Sequence, residues 1–361
     1  MHPVTDPRSR AATQLEELNE LYDISPDHRE RCDMTRSLQQ TTQLDRFVGF
    51  LLVLYPLLEH TLSPVDPFLG MVHRRPDFYL PFRELAPSRV KVTAVGGPYS
   101  LGHLLTRAGF FSVLVFRTIT FSTPFLLQDD AIFFNNLDEF NAAIDPSRPA
   151  AHFCDVKCYG TPDPRRSPLN ASKLWDLAAR WTSFVMDDDG NAVTHTLTEF
   201  NDFLVSLRAP CLGRLQSYLT AADYSYTPLV AEPTPSEVAS IAFKMGKNAG
   251  ARKGLQDLGL IRVDGDVSKE DFIQSFQTVF DYSFARLGEL RHRMQFDAVM
   301  LEHALCKYSR LKVKKRDLDM SSVSVAYILP VYVYIQMFVR LETIPPANVN
   351  LVLFTYPKNL Q

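Results

Sequence analysis

The chain has 361 residues, 46% of them hydrophobic and 22% charged, and its 38 Lys and Arg against 41 Asp and Glu leave a formal net charge of −3. These totals are those of a folded globular protein and exclude wholesale disorder. Near-neutrality confines any polyanion binding to local patches. Glycine is scarce at 15 residues, about 4% of the chain against a usual ~7%, and phenylalanine is abundant at 25. A glycine-poor, Phe-rich chain suits packed helices better than a nucleotide-binding α/β enzyme, which spends glycine where backbone approaches phosphate.

Five scattered cysteines (Cys32, Cys154, Cys158, Cys211, Cys306) form no disulfide framework and favour a reducing compartment. The first residues, MHPVTDPRSRAATQLEEL, lack the apolar core of a secretory signal. The longest apolar stretches, 47–58, 110–116 and 325–338, fall short of the ~20 residues of a spanning helix. The expected location is intracellular and soluble, in the cytoplasm or within a particle.

In chain order, Ala11 to Tyr22 reads as a short helix and Arg36 to Leu62 as a longer one, bent or broken at Pro56. A proline-dense connection covers 63–89. VKVTAV (90–95) alternates like a strand and ends at Gly96-Gly97-Pro98. From Gly102 to Leu127, apolar and β-branched residues leave helix and strand both open.

Periodicity lapses over 145–170. The expected organisation is therefore a mixed region at 1–150, a linker-like stretch at 151–170 and a helical domain at 171–361. Beyond the linker, Leu174, Leu177, Trp181 and Phe184 share one helical face, as do Leu197, Phe200, Phe203, Leu204 and Leu207. Thr234-Pro235-Ser236-Glu237 and Ser268 with Asp271 are helix starts. An apolar seam through Phe272, Phe276, Phe280, Leu287, Met294 and Leu305 predicts one long helix to about residue 308, on the order of 60 Å at 1.5 Å per residue. Strand-like SSVSVAYI and VNLVLFTY close the chain. The expected fold class is mainly α-helical (α+β), with minor strands at 90–95 and near the C-terminus.

Catalytic motifs are few. No phosphate-binding glycine loop with lysine, nucleophile elbow or paired-histidine zinc helix occurs. His152, Cys154 and Cys158 lack a fourth clustered ligand for structural zinc. Asp187-Asp188-Asp189-Gly190-Asn191 and Asp264-Gly265-Asp266 fail the calcium-loop spacing and read as turns. His303, with Cys306 one turn on, offers an axial ligand for haem, which makes a haem-dependent oxygenase one alternative.

IAFKMGKNAGARKGLQDLGLI (241–261) resembles a winged helix-turn-helix module in Ile241-Ala242, Gly246 and the Leu255…Leu258-Gly259-Leu260-Ile261 ending. The resemblance covers about 35 residues with the strand-like IRV and DG turn that follow. It implies a DNA-binding regulator whose second helix presents Lys247, Asn248, Arg252 and Lys253 to nucleic acid. Gly250 and Gly254 depart from a strong recognition helix, each weakening it by ~1 kcal/mol against alanine.

The densest positive charge lies later. Arg286, Arg291, Arg293, Lys307, Arg310, Lys312, Lys314, Lys315 and Arg316 crowd the predicted long helix and the segment after it. A helix C-terminus rewards two or three cations, at ~0.3–1 kcal/mol each, and not nine. LKVKKR alternates, so an extended chain would line Lys312, Lys314 and Arg316 along one face, matched to a phosphate backbone.

The leading expectation is a non-catalytic structural protein of nucleocapsid, coat or inner-shell type, with no cofactor. It contacts the backbone of nucleic acid through Lys307, Arg310, Lys312, Lys314, Lys315 and Arg316, with Lys247, Arg252 and Lys253 as a second patch. ILPVYVYIQMF (328–338) suits self-association. The other readings are the haem oxygenase on His303 and the winged-helix regulator.

Overall fold

The computed structural model describes residues 43–58, 67–157, 163–247, 249–263 and 265–317, with side chains to Leu311. Every regular element among them is helical, and pairing is limited to isolated bridges at Met186–Ala192 and His195–Val230. None of these helices is long and apolar enough to cross a membrane. The predicted helix Ala11–Tyr22, and the strand-like segments 321–328 and 349–356, lie outside the described residues.

The helices are α1 (43–54), α2 (Pro67–Arg74), α3 (Pro76–Tyr79), α4 (Pro87–Thr93), α5 (Leu101–Leu104), α6 (Arg107–Val115), α7 (Pro124–Leu127), α8 (Leu137–Ala143) and α9 (Ala150–Phe153). They continue as α10 (Ala171–Ala178), α11 (Thr182–Val185), α12 (Leu197–Ser206), α13 (Arg214–Tyr224), α14 (Pro235–Lys244), α15 (Gly250–Asp257), α16 (Lys269–Leu287), α17 (Leu290–Arg293) and α18 (Ala298–Asp317). Two compact units result. Among the described residues, one comprises 43–48 with 182–306, the other 49–181 with 307–317. Both are discontinuous in sequence.

In the second unit three prolines of the 63–89 stretch start helices. Pro67, Pro76 and Pro87 each open one, where the missing N–H is no loss and the fixed φ is helical already. That overturns the strand expected at 90–95. From Pro87 the chain is helical to Thr93, and Ser88, Arg89 and Val92 are buried at helical spacing. The undecided stretch after Gly102 is helical as well. α6 is buried from Gly109 to Val115 and runs into a buried π-helical turn, Phe116–Thr120. Arg166 donates from Nη1 to the carbonyls of Thr118 (2.9 Å) and Arg117 (3.5 Å), satisfying backbone that the wider turn leaves open.

Aromatic rings fill this unit. Trp181 stacks on Phe110 at 4.1 Å and donates its indole N–H to the Leu104 carbonyl at 3.0 Å. Phe125 packs against Phe134, Phe140 and Phe153. Each fully buried ring contributes about 1.5–3 kcal/mol against exposure.

In the first unit, cap chemistry positions the helices. Thr196 and Glu199 form a reciprocal capping box on α12, and Thr234 and Ser268 accept from the N3 amides of α14 and α16. Leu197, Phe200, Leu204 and Leu207 are buried along the expected face of α12. Glu237 of α14 accepts from the Thr198 amide at 2.8 Å, tying two helix starts together. The single long helix predicted from Ser268 to residue 308 does not form. It breaks at Gly288 (φ 49°) and again at Gln295 (φ 51°), giving α16, α17 and α18.

Candidate nucleic-acid interface

α18 carries the basic segment in helical form as far as Asp317. The extended reading of LKVKKR is therefore corrected, and with it the row of Lys312, Lys314 and Arg316 at strand spacing. At 3.6 residues per turn, positions 312, 315 and 316 fall within about 100° of one another, while 314 falls in line with 307 and 310. The side chains of Lys312, Lys314, Lys315 and Arg316 lie outside the described residues.

Lys307 is 5% exposed and turned inward. Its Nζ donates to the Phe78 carbonyl at 2.5 Å, and Arg310 Nη1 reaches the same oxygen at 3.5 Å. Phe78 sits in α3, a helix of four residues, so its carbonyl has no following turn to bond it. The neighbouring Asp77 is also buried. It accepts from the Ser88 amide at 2.9 Å and the Ser88 hydroxyl at 2.7 Å. Burial pushes the Asp77 carboxyl up, opposed by the Ser88 bonds and the positive charge of Lys307. Tyr308 packs edge-on against Phe50, and Leu311 is buried. Lys307 thus fastens α18 to α3 and is not displayed as a phosphate contact, a second correction.

Other members of the basic run also serve the fold. Arg286 pairs with Asp45 at 2.8 Å, and Tyr282 donates to the same carboxylate oxygen at 2.6 Å. Arg291 lies over the Phe284 ring at 4.1 Å. Of the nine cations, Arg286, Lys307 and Arg310 find acceptors more than 200 residues away in the chain, a distance no local sequence window reveals.

At the second patch, α14 and α15 do meet through a short turn with Gly246 at φ 95°. Gly250 and Gly254 then let α15 press onto α18. A Cβ at 250 would stand 2.1 Å from Cys306 Sγ, and one at 254 would stand 2.6 Å from the Leu305 carbonyl oxygen. Arg252 is not presented outward as a recognition helix requires. It is 6% exposed, with its guanidinium over Phe243 (5.0 Å) and Phe272 (5.6 Å). Lys247 and Lys253 are exposed, Lys247 pairing with Asp266 at 3.1 Å, and Asn248 lies outside the described residues. Residues 260–263 form no strand where a wing would begin, and Gln256 Nε2 donates to the Arg262 carbonyl there. Arg214, which sequence reasoning passed over, joins this corner by donating to the Lys244 carbonyl at 2.9 Å.

His303 is half-buried on α18, and Cys306 one turn on faces Gly250 across the helix contact. His152 is engaged with Asp129 at 2.6 Å. Among the described residues no group of three or more His, Cys, Asp or Glu side chains is placed to hold a metal ion. Asp187 closes its acidic turn by accepting from the Asp189 and Asn191 amides at 3.1 and 2.7 Å. Comparison with protein-family models, with curated proteins and with solved structures returns no match.

Proposed function

We propose that this chain is a helical assembly protein that holds the phosphodiester backbone of nucleic acid without reading its sequence, in the manner of a nucleocapsid, coat or inner-shell component. The observation that carries this reading is the end of α18. Between Lys307 and Asp317 the chain has six cations and one acid, whereas a helix C-terminus presents only about half a negative charge. Lys307 and Arg310 are committed to the Phe78 carbonyl. The surplus is therefore Lys312, Lys314, Lys315 and Arg316, packed into five consecutive positions. Such a cluster repels itself and is relieved by polyanion, with counterion release as the driving force and no base contact required. Self-association belongs to the same proposal, through the apolar segment 328–338, which lies outside the described residues.

Native purification of the full chain tests it. The expected result is an A260/A280 ratio raised by bound nucleic acid, lowered by a high-salt wash, together with oligomers or particles by size exclusion and electron microscopy. A monomer that carries no nucleic acid and ignores an added oligonucleotide at low salt overturns the proposal.

A further inference from the structure

Arg252 poses a problem that the helix-turn-helix resemblance does not answer. Its side chain is 94% buried by the complement of its 6% exposure. Among the described residues no carboxylate pairs with it, and its Nε makes no hydrogen bond. Burying the Nε–H without an acceptor is costly, and contact with two phenylalanine rings offsets only part of that. The site is therefore incomplete as it stands.

A second feature lies at the same place. α15 has eight residues from Gly250, and its N-cap residue, Ala249, offers no side-chain cap. Its first helical hydrogen bond runs from the Lys253 amide to the Ala249 carbonyl, at 3.2 Å. The amides of Gly250, Ala251 and Arg252 precede that bond and belong to the turn with no helical acceptor. Arg252 is the third residue of this helix, and helical side chains incline toward the N-terminus. Lys247 and Lys253 flank the turn and are exposed. A first turn without a side-chain cap and a buried, unneutralised guanidinium thus fall within one helical turn.

We infer that the start of α15 binds a phosphate group, with Arg252 as its anchor and the first-turn amides as further donors. The edge-to-face pair of Phe243 and Phe272 orders the guanidinium lying against it, and Gly250 and Gly254 hold α15 against Leu305 and Cys306 so that the amides stay fixed. The ligand is a tetrahedral oxyanion, either free phosphate or one phosphate of a nucleic-acid strand. The inference goes beyond the role proposed for the end of α18 and stands without it.

Inorganic phosphate is the probe, with the full chain compared in phosphate and in chloride at matched ionic strength. The wild-type melting temperature rises with phosphate and not with chloride, and the phosphorus resonance broadens on adding protein. Arg252→Met keeps an unbranched side chain against the two rings. It weakens phosphate binding about 10- to 100-fold, the loss expected for a charge-assisted contact, while melting no lower than wild type in chloride. A purely structural Arg252 predicts the opposite pattern: no phosphate effect on wild type and a lower melting temperature for Arg252→Met in both salts. That result overturns the inference. The variant with Lys312, Lys314, Lys315 and Arg316 all changed to Gln retains the phosphate response, so failure of one proposal is separable from failure of the other. Competition by a short single-stranded oligonucleotide assigns the site to a strand phosphate, and its absence assigns the site to free phosphate.

Discussion

Replacing Gly254 with alanine tests the close approach that places α15. In an exposed helix interior this change stabilises by up to ~1 kcal/mol, since alanine is the better helix former. Here the added Cβ would stand 2.6 Å from the Leu305 carbonyl oxygen and 2.8 Å from Leu305 Cβ. A backbone carbonyl in the middle of α18 cannot rotate aside, so the helices must separate, at the 1–3 kcal/mol or more typical of overpacking. The net expectation is a loss of about 1–2 kcal/mol, or roughly 2–8 °C in melting temperature at ~2–4 °C per kcal/mol. Gly49, within α1, is the internal control, because among the described residues a Cβ there meets nothing within 4 Å. Gly49→Ala should raise the melting temperature by about 2–4 °C, the helix-propensity gain alone. Thermal melts of the two variants against wild type therefore move in opposite directions. A Gly254→Ala protein as stable as wild type, or more so, refutes the packing of α15 on α18 described above.

Lys307→Met should separate structural from displayed charge. It removes the principal donor to Phe78 and the cation beside Asp77, costing about 1–3 kcal/mol in a chemical denaturation curve, and it leaves the salt dependence of nucleic-acid binding unaltered. Asp45→Asn probes the pair with Arg286. Burial raises the Asp45 carboxyl, but the Tyr282 and Arg286 bonds outweigh it and hold the group below the ordinary value of 3.8. A depressed carboxylate contributes stability above its unfolded value, and that contribution is lost as pH falls through the folded one. Asp45→Asn should therefore melt below wild type at pH 7, by less than about 1 kcal/mol because Arg286 is half exposed and screened. The gap should close on acidification below pH 3.8, and a gap that widens there contradicts the assignment.

Local chemistry was legible in the sequence. The helix starts at Thr234 and Ser268, and the buried face of α12, follow from side chains within four residues of one another. What escaped depended on distance. VKVTAV alternates as a strand does, yet Pro87 three residues earlier nucleates a helix that consumes it. The apolar seam from Phe272 to Leu305 runs across two breaks, because Leu287 and Met294, each just before a break, are buried in any case. The candidate interface meets the same limit. Charge counted along the chain cannot distinguish Lys307, bonded to a carbonyl 229 residues earlier, from Lys312, five positions later in the chain. Arg252 shows the converse: its place in a basic run suggested outward display, whereas Phe243 and Phe272 hold it inside.

The most direct measurement is the salt dependence of binding to a single-stranded oligonucleotide, for wild type and for the variant with Lys312, Lys314, Lys315 and Arg316 changed to Gln. At ~0.7 counterions released per phosphate neutralised on a single strand, four lost contacts reduce the slope of log Kobs against log salt by about 3. That reduction, with the fold intact by circular dichroism, is the predicted result. Identical slopes for the two proteins would contradict the claim that the end of α18 binds nucleic acid.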